Sequence, residues 1–223
     1  MAIAIDQKIH PFARKLISDI VWKITRQELA AGAQLPSIDE LAKQYEVGRS
    51  SVREALRFVE STGLIQTIHG KGTFVINFSS AHEGVSFFDH IVDMRKMIEL
   101  HATRQTALIH THSDITALEE LLGEMEQSRF DFQRFIDADR TFHATIIKAA
   151  RNPFLPAIFT NISGVFMGVQ NALIHIDPDV VENSINQHRA ILNAIIARDV
   201  EGALRETNGH LEMISILFRR AQE

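Results

Sequence analysis

Cysteine is absent from the 223 residues, which excludes a disulfide framework and thiolate chemistry and fits a cytoplasmic protein. Long apolar runs are missing too. Hydrophobic residues make up 45% of the chain but are interrupted every few positions, and no stretch approaches the roughly 18–20 residues that span a bilayer. The expectation is a soluble protein with no membrane partner. Met1 to His10 carries Asp6 and Lys8 and lacks the apolar segment and small-residue cleavage site of a signal peptide. Nor is there an excess of positive charge, since the formal net charge is -5. That balance argues against a nucleic-acid partner until it is divided along the chain. Residues 1–76 hold ten Lys/Arg against eight acids (+2), and residues 77–223 hold thirteen against twenty (-7). Two modules with different partners are expected. The apolar content also excludes disorder and leaves enough material for real cores.

The first module reads as helix, helix-turn-helix, hairpin. Leu16, Ile17, Ile20, Val21 and Ile24 recur at helical spacing within Phe12–Ala31, with Gly32 just beyond. Ser37 and Glu40 have the spacing of a capping box, which predicts a helix over about 38–44. A third helix is expected over 49–62, with Val52, Ala55, Leu56 and Val59 on one side and Gly63 ending it. The period then changes to short β-branched runs, 64–68 and 73–76, around the loop His69-Gly70-Lys71-Gly72. Residues 77–91 read as a linker. Beyond them the pattern is helical throughout, roughly 91–111, 114–128, 131–150, 154–175, 180–198 and 200–220, with Asp199 placed as a cap before Gly202. The expected fold is mainly α, with a winged helix-turn-helix over 1–76 and an all-α bundle of six or seven helices over 92–223.

The major groove of B-DNA, about 12 Å wide, admits one α-helix whose N-terminal residues reach base edges. The third helix opens with Arg49-Ser50-Ser51-Val52-Arg53, and Arg57 follows one turn later. Arg pairs bidentately with guanine, while Ser and backbone N–H groups suit phosphates. Such a face is also what an ordinary solvated surface looks like, with the arginines paired to Glu54 or Glu60.

Leu35 to Val75, LPSIDELAKQYEVGRSSVREALRFVESTGLIQTIHGKGTFV, resembles the winged-helix domain of GntR-superfamily bacterial transcription regulators, densely over about forty residues. The resemblance implies that Arg49, Ser50, Ser51 and Arg53 contact operator DNA. It also implies that His69, Gly70 and Lys71 approach the minor groove or backbone. One position departs: Asp39 stands where the family commonly has a DNA-contacting Arg.

Residues 92–223 contain His101, His110, His112, His143, His175, His188 and His210. A lone histidine on an apolar helix face is more often a hydrogen-bonded core residue than a ligand. Asp139 and His143, however, are i and i+4 and share one face beside Phe142, Ile146 and Ile147. His188 lies with Ile191, Leu192 and Ile195, and His210 with Thr207, Leu211 and Ile214. One carboxylate and three imidazoles form a donor set suited to zinc, nickel, manganese or a related divalent ion. Spacing alone does not show that they converge. DADRTFHATIIKAARNPFL, followed by NQHRAILNAIIARDVEGALRETNGHLE, is similar to the effector-binding FCD domain of the FadR-type branch. That resemblance implies a metal, zinc first, held by Asp139, His143, His188 and His210. Arg95 and Glu99 match an R-x-x-x-E pattern whose Arg often holds an effector carboxylate; the plain alternative is a helix-surface ion pair. For His101 the core reading is preferred.

The expectation for function is a ligand-responsive bacterial DNA-binding transcription regulator rather than an enzyme. It would be a repressor modulated by a small carboxylate effector at a metal site, acting as a homodimer on a short palindromic operator in double-stranded DNA. Two rivals stand beside it. One is a metal-dependent hydrolase with an accessory DNA-binding domain, for which no H-E-x-x-H or similar motif supplies a general base. The other is a bundle serving only for dimerisation, with a structural metal or none.

Overall fold

The computed structural model describes residues 11–26, 28–76, 87–160, 162, 163, 166, 170 and 179–220. They form two compact units, one built on residues 11–76 and one on the helices that follow. The N-terminal decapeptide, most of the expected 77–91 linker, and His175 lie outside the described residues.

In the first unit, α1 (Pro11–Thr25) packs on α3 (Arg49–Ser61), with α2 (Ile38–Gln44) between them in sequence. Leu16, Val21, Val52, Ala55, Val59 and Leu64 are fully buried at its centre. The capping box is present, with Glu40 N–H donating to Ser37 Oγ at 3.3 Å and Ser37 N–H to Glu40 Oε2 at 2.7 Å. Gly63 takes φ +79° past the end of α3, the left-handed conformation that closes many helices.

The expected first helix is six residues too long, because α1 stops at Thr25. The cause is non-local. Residues 32–35 are claimed by the wing, with Gly32 N–H donating to Val75 O, Val75 N–H to Ala33 O and Leu35 N–H to Thr73 O. The wing itself is β1 (Ile65–Ile68) paired antiparallel with β2 (Gly72–Val75), in register Ile65 with Val75 and Ile68 with Gly72. Gln34 Nε2 donates to Lys71 O at 2.9 Å across the turn. Gly72, at φ +118°, leaves the space this needs, since a Cβ there would lie 2.5 Å from Gln34 Nε2.

The second unit contains α4 (Phe87–Ile109), α5 (His112–Gln127), α6 (Phe132–Ala149), α7 (Asp179–Ile196) and α8 (Val200–Arg220), with a further helical stretch at 155–160. Residues 87–91, read from sequence as linker, are helical. The tightest pairings are α5 with α6 and α7 with α8, around buried Phe135, Phe142, Ile185, Ile191, Ile195 and Phe218. Thr111 and Asp114 form a second capping box at the start of α5. Asp199 caps α8 as expected, accepting from Gly202 N–H at 2.9 Å. Together the caps and pairings hold α6, α7 and α8 with one face each toward a common interior.

Candidate metal centre and nucleic-acid interface

The helix period places Asp139 and His143 on one side of α6, and α7 and α8 add His188 and His210. All four are buried, and one potential ligand atom from each lies within 4.8 Å of every other. The four residues singled out by spacing therefore do converge.

The outer nitrogen of each imidazole is already engaged. His188 Nδ1 lies 2.7 Å from Ser184 O, His143 Nδ1 lies 2.7 Å from Glu99 Oε2, and His210 Nδ1 lies 2.9 Å from Gln187 Oε1. Carbonyl oxygens only accept, so Nδ1 of His188 and of His210 carries the proton and each of those two neutral rings turns its Nε2 lone pair inward. The Nε2 atoms of His143 and His188 face each other at 3.1 Å. His210 Nε2 and Asp139 Oδ1 are buried with no hydrogen-bond partner, and Asp139 Oδ1 lies 3.3 Å from His188 Nε2. Three imidazole nitrogens and a carboxylate oxygen around one point match the donor set of a borderline divalent ion. The residues present fit a metal.

Burial sets the ionisation in the same direction. Desolvation pushes His188 down to about 4, against the opposing pull of Asp139. Desolvation likewise holds His210 well below the ordinary histidine range, with His188 and His143 adding to the effect. Both rings are neutral at pH 7, the form that ligates.

Behind this centre runs a charged chain, of which the sequence points to Arg95 but not to the link from Glu99 to His143. Arg95 and Glu99 are each 2% exposed and pair through Arg95 Nε and Glu99 Oε1, so of the two readings the pair on the helix surface is the one the burial contradicts. Burial alone would raise the Glu99 carboxyl, but Arg95 and His143 outweigh it and hold it well below the usual carboxylate range. Arg95 also sits 6.0 Å over the Phe159 ring. The buried polar stripe continues with Thr103, whose hydroxyl is 3.3 Å from that of Thr207. Thr103 follows Arg95 and Glu99 at the same four-residue spacing, the signal that could have revealed it. His101, expected in the core, is exposed.

On the first unit, Arg49, Arg53, His69, Gly70 and Lys71 line a cleft of about 850 Å³ between α2, α3 and the wing. Ser50 is exposed at the start of α3, and Ser51 is half-buried. Gly48, the residue capping α3, offers no side chain to the first helical N–H groups, which leaves them suited to a phosphate. Arg49 does not pair with Glu54 or Glu60. Its Nε and Nη2 instead meet the two carboxylate oxygens of Asp39, and Glu60 accepts from Thr67 N–H.

Residues 12–75 match the family described as bacterial regulatory proteins, gntR family, and residues 90–213 match the FCD domain. The chain belongs to the GntR family, in its FCD-containing branch, and is a ligand-responsive DNA-binding transcription regulator rather than an enzyme. It is 31% identical to the HTH-type transcriptional repressor NanR of Enterobacter sp. (strain 638), over 92% of this chain and 86% of that protein. It is 30% identical to the protein of the same name in Edwardsiella tarda (strain FL6-60), over 96% of this chain and 89% of that one. Among solved structures, E. coli McbR/YncC shares the fold with a TM-score of 0.64 at 22% identity, over 95% of this chain and 99% of that one. Membership in a regulator family removes the hydrolase alternative.

Proposed function

We propose that the chain is a cytoplasmic repressor whose grip on a palindromic operator is set by a small carboxylic acid bound beside a divalent metal, zinc first. The observation that carries this reading is the convergence of four buried donors, of which His210 Nε2 and Asp139 Oδ1 have no hydrogen-bond partner. Asp139, His143, His188 and His210 would hold the metal, which when bound supplies a Lewis-acidic attachment point for a carboxylate oxygen. Arg95, two turns along α4 from Thr103, offers the guanidinium that would pair with the acid. Release of Glu99 by Arg95 would then be felt at His143, because both share that carboxylate. Coupling to DNA requires that the acid bind two arrangements of the protein unequally, typically by 1–3 kcal/mol.

On DNA, Arg49, Ser50, Ser51 and Arg53 are assigned to the major groove, and His69, Gly70 and Lys71 to the adjacent backbone or minor groove. The relatives' description as repressors supports repression. A homodimer is supported by the outer face of α4, where Met94, Met97, His101 and Leu108 are exposed at heptad-like spacing. Such a stripe suits a second copy of the same helix across a two-fold axis. No described helix is long and apolar enough to cross a membrane.

Elemental mass spectrometry of untagged protein tests the centre. About one equivalent of a transition metal per chain, lost in His143→Ala, is expected. No metal after incubation and desalting would reduce the four residues to a core cluster. Titrating organic acids against operator binding then separates a sensor, whose DNA affinity shifts, from a bundle that only dimerises.

A further inference from the structure

Asp39 is an anomaly on the DNA-facing cleft. It is a carboxylate among cations, exposed on a surface that must approach a polyanion. Its place in the first turn of α2 suits the helix dipole, but Ser37 and Glu40 already cap that terminus. What distinguishes Asp39 is its partner. Both of its oxygens engage Arg49, ten residues away on another helix, through the Nε–Nη2 edge of the guanidinium.

A guanidinium presents two bidentate edges, Nε–Nη2 and Nη1–Nη2. With the first edge on Asp39, the second carries two further N–H donors in a fixed plane. That is the edge able to pair with O6 and N7 of guanine. A long side chain held this way surrenders less rotamer freedom on binding. We infer that Asp39 is a specificity-determining residue, which holds Arg49 so that its outer edge reads one base pair of each operator half-site. The inference rests on the DNA-binding function of the first unit and adds to it. Asp39 touches no base and is a positioning residue.

The test is selection of bound sequences from a randomised duplex library by the full chain, as wild type, Asp39→Ala, Asp39→Asn and Arg49→Ala. Wild type is expected to enrich a palindrome. Arg49→Ala should lose preference at one base pair per half-site, and Asp39→Ala should lose preference at that same pair. Asp39→Asn, which keeps one acceptor, should fall between. On the wild-type consensus, Arg49→Ala should weaken binding roughly 5- to 100-fold, the worth of one bidentate base contact, and Asp39→Ala by a smaller factor. Binding of Asp39→Ala to a scrambled duplex should be unchanged or tighter, because a repulsive charge is gone.

Adding Asp39→Ala to Arg49→Ala should cost nothing more on the consensus duplex. An unchanged consensus in Asp39→Ala overturns the inference. So does lost preference at a base pair other than Arg49's, or an equal loss of affinity in the Arg49→Ala background. Failure of wild type to enrich any sequence would overturn the DNA-binding function and the inference together. Unchanged thermal unfolding of Asp39→Ala, expected for an exposed pair, separates these results from misfolding.

Discussion

Glu99→Gln gives the sharpest test of the buried charges behind the candidate metal centre. Arg95 and Glu99 are each 2% exposed, so Glu99→Gln takes one counter-charge away from a guanidinium in the interior. Breaking one side of such a pair costs about 3–5 kcal/mol. In a helical unit of this size each kcal/mol moves the midpoint of unfolding by about 3–5 °C, so the metal-free variant should melt roughly 10–20 °C below wild type. The same substitution weakens the acceptor at His143 Nδ1, which lies 2.7 Å from Glu99 Oε2. Loss of a partner behind a ligand typically lowers metal affinity by about 10–100-fold.

Circular dichroism melts after chelation measure the first effect, and competition with a chromophoric chelator measures the second. The double variant Arg95→Met/Glu99→Leu separates them. It should recover most of the melting temperature, because neither charge of the pair is left in the interior, while metal affinity stays low. A Glu99→Gln protein that melts within about 1 kcal/mol of wild type would refute the argument that Arg95 depends on this carboxylate.

Three further outcomes follow from the same structure. Desolvation lowers His188 from its ordinary 6.5 to about 4, so folding favours the neutral ring. The contribution is complete above pH 6.5 and is lost as pH falls toward 4. Chemical denaturation of the metal-free chain should show a decline on the order of 3 kcal/mol across that window, with His188→Leu much flatter. On the wing, Lys71→Ala should reduce the salt dependence of DNA binding by about one charge and weaken all sequences alike, whereas Arg53→Ala should cost about 1–3 kcal/mol and relax base preference. Fluorescence anisotropy over a salt series separates the two, and identical behaviour would undo the division of roles. Gly72→Ala meets both a φ of +118° and Gln34 Nε2 at 2.5 Å. It should destabilise by about 1–3 kcal/mol in thermal unfolding; wild-type stability would mean that the wing turn is not held by Gln34.

Features set by neighbouring residues were legible in the sequence. The capping boxes at Ser37 and Thr111 and the cap at Asp199 depend on contacts three residues apart, and the first and last of these were read directly. The Asp139 and His143 pair was legible because a helix puts i and i+4 on one side. Its meeting with His188 and His210 depends on how three helices dock. The family resemblance supplied that link, which spacing did not. What stayed hidden was set by long-range contacts of ambiguous residues. The end of α1 is fixed by a β-type pairing with Thr73 and Val75, some forty residues on. Glu99 looked committed to Arg95 because its second partner, His143, lies on another helix. Asp39 looked like a lost DNA contact because its partner Arg49 sits across the helix-turn-helix.

The spacing of the four donors also bears on the order of events during assembly. Only Asp139 and His143 are neighbours on one helix. His188 is 45 residues beyond His143, and His210 is on the helix after that. A chain in which α6, α7 and α8 have not yet docked offers a metal two donors rather than four, because bringing the others in requires closing long loops. An ion held at full coordination would therefore mark a molecule whose last three helices are already in place. Metal content in a preparation would count correctly assembled chains.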